Sequence, residues 1–525
     1  MNHEMIQAND KIGDGGGMTV FRVTRDADTD TLIVVNQTLA DNRSGKFFNV
    51  DFKNTVGETG MNCGGISSFV DGRIWTAEEW FRSSTASIYD GGNGVRDTAA
   101  FTIGTTTPNG FPGFDGETVR KFENFNYMVE IDPKEAVAIR KQYNWGRQGF
   151  EGGVIMPDNK TVYLGVDATP AFWLKFVANT AGDFTTGNLY VYKQNAAAGS
   201  RWIQLNNSDM TGVLSIDAQA VNAGATMFNR IEWVTQDTTT GIVYMTETGR
   251  DNPGSAWRGE KADGATHAQH HIFRAAQQGT GPDSSAYADR YGRVLYYDPA
   301  TDELGVHLNG GPEFNQATVN SDVYPEKHLS NPDGLSIINI GGQVYLIIQE
   351  DLNGRSHGRV PSDVTNNSTC ELFLLDLSIA NPSTDDLIRV TAVPLGAEVT
   401  GAISTPDGKT ILLNVQHPNS DPAVNPFPFN NSLTYAITGW DKVDVFTTGV
   451  DQELAEANEA FKIFPNPVSR ILNFEQPSDV AIYTLAGQRV RVARQVLSVD
   501  VSSIAAGVYV IKNLETGAAR RLVIE

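Results

Sequence analysis

The sequence predicts an all-β protein, and three observations carry that prediction. Glycine is abundant, with 51 residues, and turn pairs such as Asp71-Gly72, Gly341-Gly342 and Asp407-Gly408 recur. Many short strands joined by tight turns need such residues, because Gly takes positive φ without a Cβ clash. After these turns come short β-rich runs with polar endings. Ile74-Trp75-Thr76 leads to Glu78 and Glu79, Val162-Tyr163-Leu164 to Asp167, Ile242-Val243-Tyr244-Met245 to Glu247, Val344-Tyr345-Leu346-Ile347 to Glu350, and Ile411-Leu412-Leu413 to Gln416 and His417. A second apolar run ending in Asp often follows, as in Tyr127 to Asp132, Val294 to Asp298 and Leu372 to Asp376. Helical periodicity is scarce, and Asp132 to Ile139 is the one stretch that reads as a short helix.

Hairpins repeated at irregular spacing, with long insertions between them, predict the blades of a propeller. An array of β-sandwiches is the alternative that the pattern leaves open. The propeller is expected over residues 1–450, an acidic, Ala-containing linker over 451–460, and a compact C-terminal β unit, a small β-sandwich, over 461–525. Within that last unit Ile482 to Gln488 reads as a hairpin and Ala506 to Ile511 as a strand.

A hydrophobic content of 40 % supports a sizeable packed core. The formal net charge of -22 argues against nucleic acid as a partner, since phosphate backbones demand clustered Lys and Arg. It fits either a well-solvated extracellular surface or carboxylates reserved for hard cations. The two cysteines, Cys63 and Cys370, do not argue against export, because a large domain with its own core needs no disulfides. No stretch approaches the roughly 20 apolar residues of a membrane helix. Met1 to Gly17 is polar and Gly-rich and lacks the apolar core of a signal peptide, so a leader removed earlier, or another route, is expected.

Polar residues at the ends of apolar strands converge if those strands line a central channel. Glu78, Glu79, Glu151, Asp167, Glu232, Glu247, Asp333 and Glu350 are the candidates. Crowded carboxylates raise one another's pKa and need cations or Arg to neutralise them. Hard cations take about six to eight oxygen ligands, so such a set points to calcium or a mixed-metal cluster. The bland alternative is that strand-end acids face solvent. His267, His270 and His271 lie in an insertion that reads as a solvated loop. Gly15-Gly16-Gly17 is a flexible lead-in rather than a phosphate loop, and no nucleophile-elbow pattern surrounds Ser67-Ser68.

An ordered series of short motifs runs from about Phe47 to His417: Asn62-Cys63-Gly64-Gly65 with Thr76-Ala77-Glu78-Glu79, Glu130-Ile131-Asp132-Pro133, Gly146-Arg147 with Glu151-Gly152, Gly165-Val166-Asp167 with Lys175-Phe176-Val177, Arg230-Ile231-Glu232-Trp233, Pro332-Asp333-Gly334, and Thr405-Pro406-Asp407-Gly408 with Gln416-His417-Pro418. The series resembles the PhoX family of secreted alkaline phosphatases, calcium- and iron-dependent six-bladed propellers. The resemblance implies that Arg230 and Asn62 hold the phosphate of small phosphorylated substrates, and that Glu78, Glu79, Glu151, Glu232 and Asp333 hold metals. Three positions depart from the pattern. Ala77 stands where the family has a Cys that looks like an iron ligand, Phe150 replaces a His, and Val166 replaces an Asp. Alanine has no donor atom, so calcium is the expected cofactor and the iron site is left in doubt. A calcium-stabilised propeller that binds a glycan or protein partner is the non-catalytic alternative.

At the C-terminus Pro465-Asn466-Pro467, Tyr483 to Gly487 and Ala506-Gly507-Val508-Tyr509 resemble the sorting domain of the Bacteroidetes type IX secretion system. This resemblance implies that machinery as a partner and a secreted or outer-cell-surface location.

Overall fold

In the computed structural model the described residues are 2–3, 16–79, 98–249, 265–289, 291–311, 328–351, 369–443, 460–484 and 489–525. Strands dominate, and the chain separates into two compact units, Met1–Val443 and Asp444–Glu525. No helix among the described residues is long and apolar enough to cross a membrane.

The first unit is a succession of antiparallel meanders, each made by local hairpins. The first runs through Asn62–Ser67, Ile74–Glu78, Met128–Asp132 and Val137–Lys141. The second opens with Phe150–Ile155, Thr161–Val166, Leu174–Thr180 and Asp183–Tyr192. The third is Ile231–Gln236, Val243–Glu247, Arg293–Asp298 and Glu303–Asn309, and the fourth is Pro332–Ile340, Gln343–Glu350, Glu371–Asp376 and Ile388–Ala392. A fifth has Glu398–Ser404, Thr410–Gln416 and Leu433–Thr438. The opening strand of each meander lies against the opening strand of the next.

Glycine permits that approach. A Cβ on Gly64 would lie 2.0 Å from the carbonyl oxygen of Glu151, and one on Gly165 would lie 1.9 Å from that of Glu232. Between the sheets lie continuous apolar cores, such as Ile66, Trp75, Trp145 and Phe176 between the first two meanders. An N-terminal sheet, built on Gly17–Arg25, meets both ends of the series. The chain that follows it pairs Asp51 with Val137 of the first meander, and Arg25 holds Asp407 (3.0 Å) and Thr410 (3.1 Å) of the fifth.

The helix expected over Asp132 to Ile139 is a hairpin instead. Asp132 Oδ1 accepts the backbone N–H groups of Lys134 and Glu135, Ala136 sits at φ 53°, and the chain returns as the strand Val137–Lys141. An Asp that caps a tight turn outweighed the weak helical pattern of these eight residues.

The second unit is a five-stranded antiparallel sheet around a core that includes Leu472, Ile482, Ile511 and Leu522. Strands Ile471–Thr484 and Gly507–Asn513 cover two of the expected elements, while Leu485 to Gln488 lies outside the described residues.

Candidate metal centre

One local design, repeated from meander to meander, builds the site. Near the start of each opening strand the ladder skips two residues, a β-bulge that re-aims the side chains there. The bulged pairs are Cys63-Gly64, Glu151-Gly152, Glu232-Trp233, Asp333-Gly334 and Gly401-Ala402. The residue just past the second strand is fixed in the same repeating way. The N–H groups of Glu79, Asp167, Thr248 and Asp351 donate to the carbonyls of Met61, Gly149, Arg230 and Asn331, the residues that precede the first four opening strands. Three of those four, Met61, Arg230 and Asn331, have positive φ.

The side chains so placed converge. Donor atoms of Cys63, Glu79 and Glu151 lie within 4.8 Å of one another, as do those of Glu151, Glu232 and Asp333, and those of Asp333, Asp351 and Glu398. Glu151 and Asp333 each belong to two of the three groups, so the groups form a continuous chain. The Cys63 thiol donates to Glu151 Oε1 at 3.1 Å. Thr248 donates its hydroxyl to Glu232 Oε2.

Arg230 reaches into this chain from its left-handed backbone. Its Nε donates to Asp167 Oδ1 at 2.8 Å, and its Nη2 lies 2.6 Å from Glu232 Oε1 and 3.5 Å from Asp351 Oδ2. Nη1 makes no hydrogen bond among the described residues.

The electrostatics are those of an under-neutralised anionic pocket. Burial pushes the Glu151 carboxyl well above the usual range, and Asp333, Glu232, Glu79 and Asp167 push it further. Burial also raises Glu232 well above it, against the pull of Arg230. Asp333 is raised by burial and then by Glu398 and Asp351. One guanidinium faces more carboxylates than it can balance. Asp333 is 2 % exposed, and its Oδ1 has no hydrogen-bond donor among the described residues. Buried acceptors without donors are costly, and a cation satisfies several at once. The residues therefore fit hard cations along the carboxylate groups, and the thiol of Cys63 adds a soft donor at one end.

Of the residues singled out by sequence, the structure brings together Glu79, Glu151, Glu232, Asp333, Asp167 and Arg230. It sends Glu78 elsewhere. Successive side chains of a strand point to opposite faces, so Glu78 turns away from its neighbour Glu79. It pairs with Lys141 at 2.8 Å and accepts from the Thr59 hydroxyl (2.8 Å) and the Tyr127 N–H (3.2 Å). Glu350 follows suit: its oxygens accept the N–H groups of Ser330 and Glu371. Asn62 belongs with Glu78 rather than with Arg230, since its amide donates to the hydroxyls of Thr59 (3.0 Å) and Thr76 (3.4 Å).

Sequence reasoning missed Cys63 as a donor, and with it Asp351 and Glu398. The available signal was the recurring pair of a donor followed by Gly: Cys63-Gly64, Glu151-Gly152 and Asp333-Gly334. The three departures, Ala77, Phe150 and Val166, all fall in one apolar core with Ile66, Trp75 and Met128. The histidines are not a solvated loop. His270 and His271 lie on the helix Gln269–Gln277, and His271 is fully buried. Their nitrogens and Glu247 form a fourth group within 4.8 Å, but Glu247 is already paired with Arg293 at 2.6 Å.

The family model "Alkaline phosphatase PhoX" matches residues 4–419, and "Secretion system C-terminal sorting domain" matches residues 462–525. A search of curated proteins found no match. The structure of Pseudomonas fluorescens PhoX in complex with vanadate, described as a transition state analogue, superposes with a TM-score of 0.51 at 21 % identity, covering 84 % of this chain and 77 % of that one. At that identity the likeness is one of fold. The periplasmic gluconolactonase PpgL of Pseudomonas aeruginosa covers 93 % of this chain and 98 % of its own at 10 % identity, with a TM-score of 0.28 too low to carry an argument. The sorting domain marks the protein for secretion to the cell surface or the exterior.

Proposed function

Because the chain belongs to the PhoX family of alkaline phosphatases, we propose that it is a secreted, metal-dependent phosphatase that hydrolyses phosphate esters at the Arg230 pocket. One observation carries the reading: Arg230 points into a chain of buried carboxylates that it cannot neutralise alone. A non-catalytic propeller predicts an apolar plug in that position and an Arg turned away from it.

Glu79, Glu151, Glu232 and Asp333 would hold the metals, joined by Asp351 and Glu398. Calcium suits the all-oxygen groups. Cys63, together with Glu79 and Glu151, would supply the soft donor for iron that Ala77 cannot. Bound cations would withdraw charge from phosphoryl oxygens and activate a nucleophile. The protein's own contribution is positional. The guanidinium is a planar fork suited to two phosphate oxygens. Asp167, Glu232 and Asp351 hold it in place and leave Nη1 for the anion. Thr248 fixes one oxygen of Glu232, which sets the direction in which the other faces.

We read the five meanders and the N-terminal sheet together as a six-bladed propeller. Opening strands that touch in succession, and the contacts of the N-terminal segment with both the first and fifth meanders, support a closed ring. The type IX secretion machinery is the proposed exporter, through the unit that follows residue 460.

The test is metal content by mass spectrometry on full-length protein purified without chelator, alongside turnover of an aryl phosphate. Bound calcium with or without iron, and turnover lost in Arg230→Ala, is the expected result. Bound metal with no turnover of monoesters or diesters would overturn the enzyme reading.

A further inference from the structure

The turn that carries Arg230 is held from behind by a buried knot of side chains outside the carboxylate chain. The N–H of Asn229, the residue before Arg230, donates to Glu247 Oε1 at 2.8 Å, and Asn229 Oδ1 accepts the Thr169 hydroxyl at 2.9 Å. Glu247 is itself anchored from three sides. His271 Nε2 lies 2.5 Å from Oε1, while His270 Nε2 (2.5 Å) and Arg293 Nη1 (2.6 Å) meet Oε2. Arg293 then forks onto Asp289 at 2.6 and 3.0 Å, and His271 Nδ1 meets the Tyr287 hydroxyl at 2.7 Å. Glu247 and His271 are fully buried, and Asp289 and Arg293 are nearly so.

The fourth meander offers an internal comparison. There Glu350 accepts the N–H of Ser330 in the corresponding place, at 2.9 Å, and Asn331 follows at φ 50°. A carboxylate behind the left-handed turn is therefore part of the scaffold. Only in the third meander does the turn carry a guanidinium (Arg230, φ 64°), and there the carboxylate is clamped by two histidines and an arginine.

We propose that Glu247, with His270, His271 and Arg293 behind it, is the positioning device of Arg230. It fixes the Asn229–Arg230 turn so that the guanidinium sits in place for an anion before one arrives. A left-handed non-Gly residue is strained and persists only where its surroundings determine it. Removing the acceptor frees the Asn229 N–H and lets the turn relax, carrying the guanidinium away. Glu247 acts only through Asn229 and touches no reacting group.

This inference rests on the reading of Arg230 as the anion clamp, and its test separates the two. Inorganic phosphate binding is measured by calorimetry on the full chain, with metal content and aryl phosphate kinetics in parallel. Glu247→Ala should weaken phosphate about tenfold and raise KM to match, with metal content and kcat little changed. His270→Ala, at the partly exposed edge of the knot, should give about a threefold loss even where Glu247→Ala fails to fold. In an Arg230→Ala background neither change should weaken phosphate further, because both act through one side chain. Wild-type protein that binds no phosphate sinks the clamp reading and this inference together. Wild-type binding matched by folded Glu247→Ala or His270→Ala, or an equal loss in the Arg230→Ala background, sinks this inference alone.

Discussion

Replacing Lys141 by Met removes a cation from the interior of the first meander and tests directly what Glu78 is for. Lys141 is 1 % exposed and so is Glu78, and the pair is 2.8 Å apart. Burial pushes the Glu78 carboxyl up and the Lys141 ammonium down, each opposed by the other's charge. Lys141→Met leaves the carboxylate with only the Thr59 hydroxyl and the Tyr127 N–H, and leaves the Asn124 carbonyl without its ammonium donor. Breaking a buried pair by removing one partner costs about 3–5 kcal/mol. Urea unfolding, followed by the buried Trp75 and Trp145 near that sheet, should show a loss of that size. Bound metal should stay at the wild-type level in the folded protein. The double variant Lys141→Met with Glu78→Gln should recover part of the loss, since the amide oxygen still accepts the Tyr127 N–H and no charge is stranded. Stability within about 0.5 kcal/mol of wild type, or loss of metal from a variant of unchanged stability, would refute the assignment of Glu78 to the scaffold.

Asp333→Asn should behave in the opposite way, releasing metal with little loss of stability in chelator; metal retained at the wild-type level would count against Asp333 as a ligand. Glu151, Glu232 and Asp333 have folded-state pKa values above their unfolded ones, so the folded state binds more protons and stability falls as pH rises from the unfolded carboxylate pKa of about 4. Chelated protein should therefore melt lower near pH 8 than near pH 5, and added calcium should raise the midpoint more at the higher pH; equal midpoints in chelator would contradict this. Cys63→Ser should keep calcium and lose bound iron, read by mass spectrometry, and iron retained in full would remove the thiol from the ligand set. Gly165→Ala should disrupt the second and third meanders together, because its Cβ would meet the Glu232 carbonyl oxygen at 1.9 Å; unchanged melting and metal content would refute the close-packing argument.

The strands were legible because turn pairs and apolar runs act locally. Thr161–Val166, Gln343–Glu350 and Arg293–Asp298 could be placed from their own residues. What could not be read was direction. Glu78 and Glu79 are neighbours in sequence, yet the pleat sends one to Lys141 and the other to Cys63 and Glu151. Periodicity fixes that two neighbours diverge without saying which one faces the site. The bulges were equally hidden, since a skipped pairing has no residue of its own and shows as Gly at its second position in only three of the five, Gly64, Gly152 and Gly334. His271 was misread because an insertion rich in Gly and Ala looks like loop, while its burial depends on Glu247, Tyr287 and Asp289, each distant in sequence.

The bulge repeat makes the chemistry of this protein something like a five-letter word spelled on a fixed page. Its letters are Cys63, Glu151, Glu232, Asp333 and Gly401, one from each meander. Backbone geometry holds the position of every letter, and the letter itself supplies only the donor. A change of spelling at one place therefore alters the donor presented there while the page stays intact. The fifth letter, Gly401, is silent, and the fifth meander contributes instead through Glu398, whose carboxylate meets those of Asp333 and Asp351.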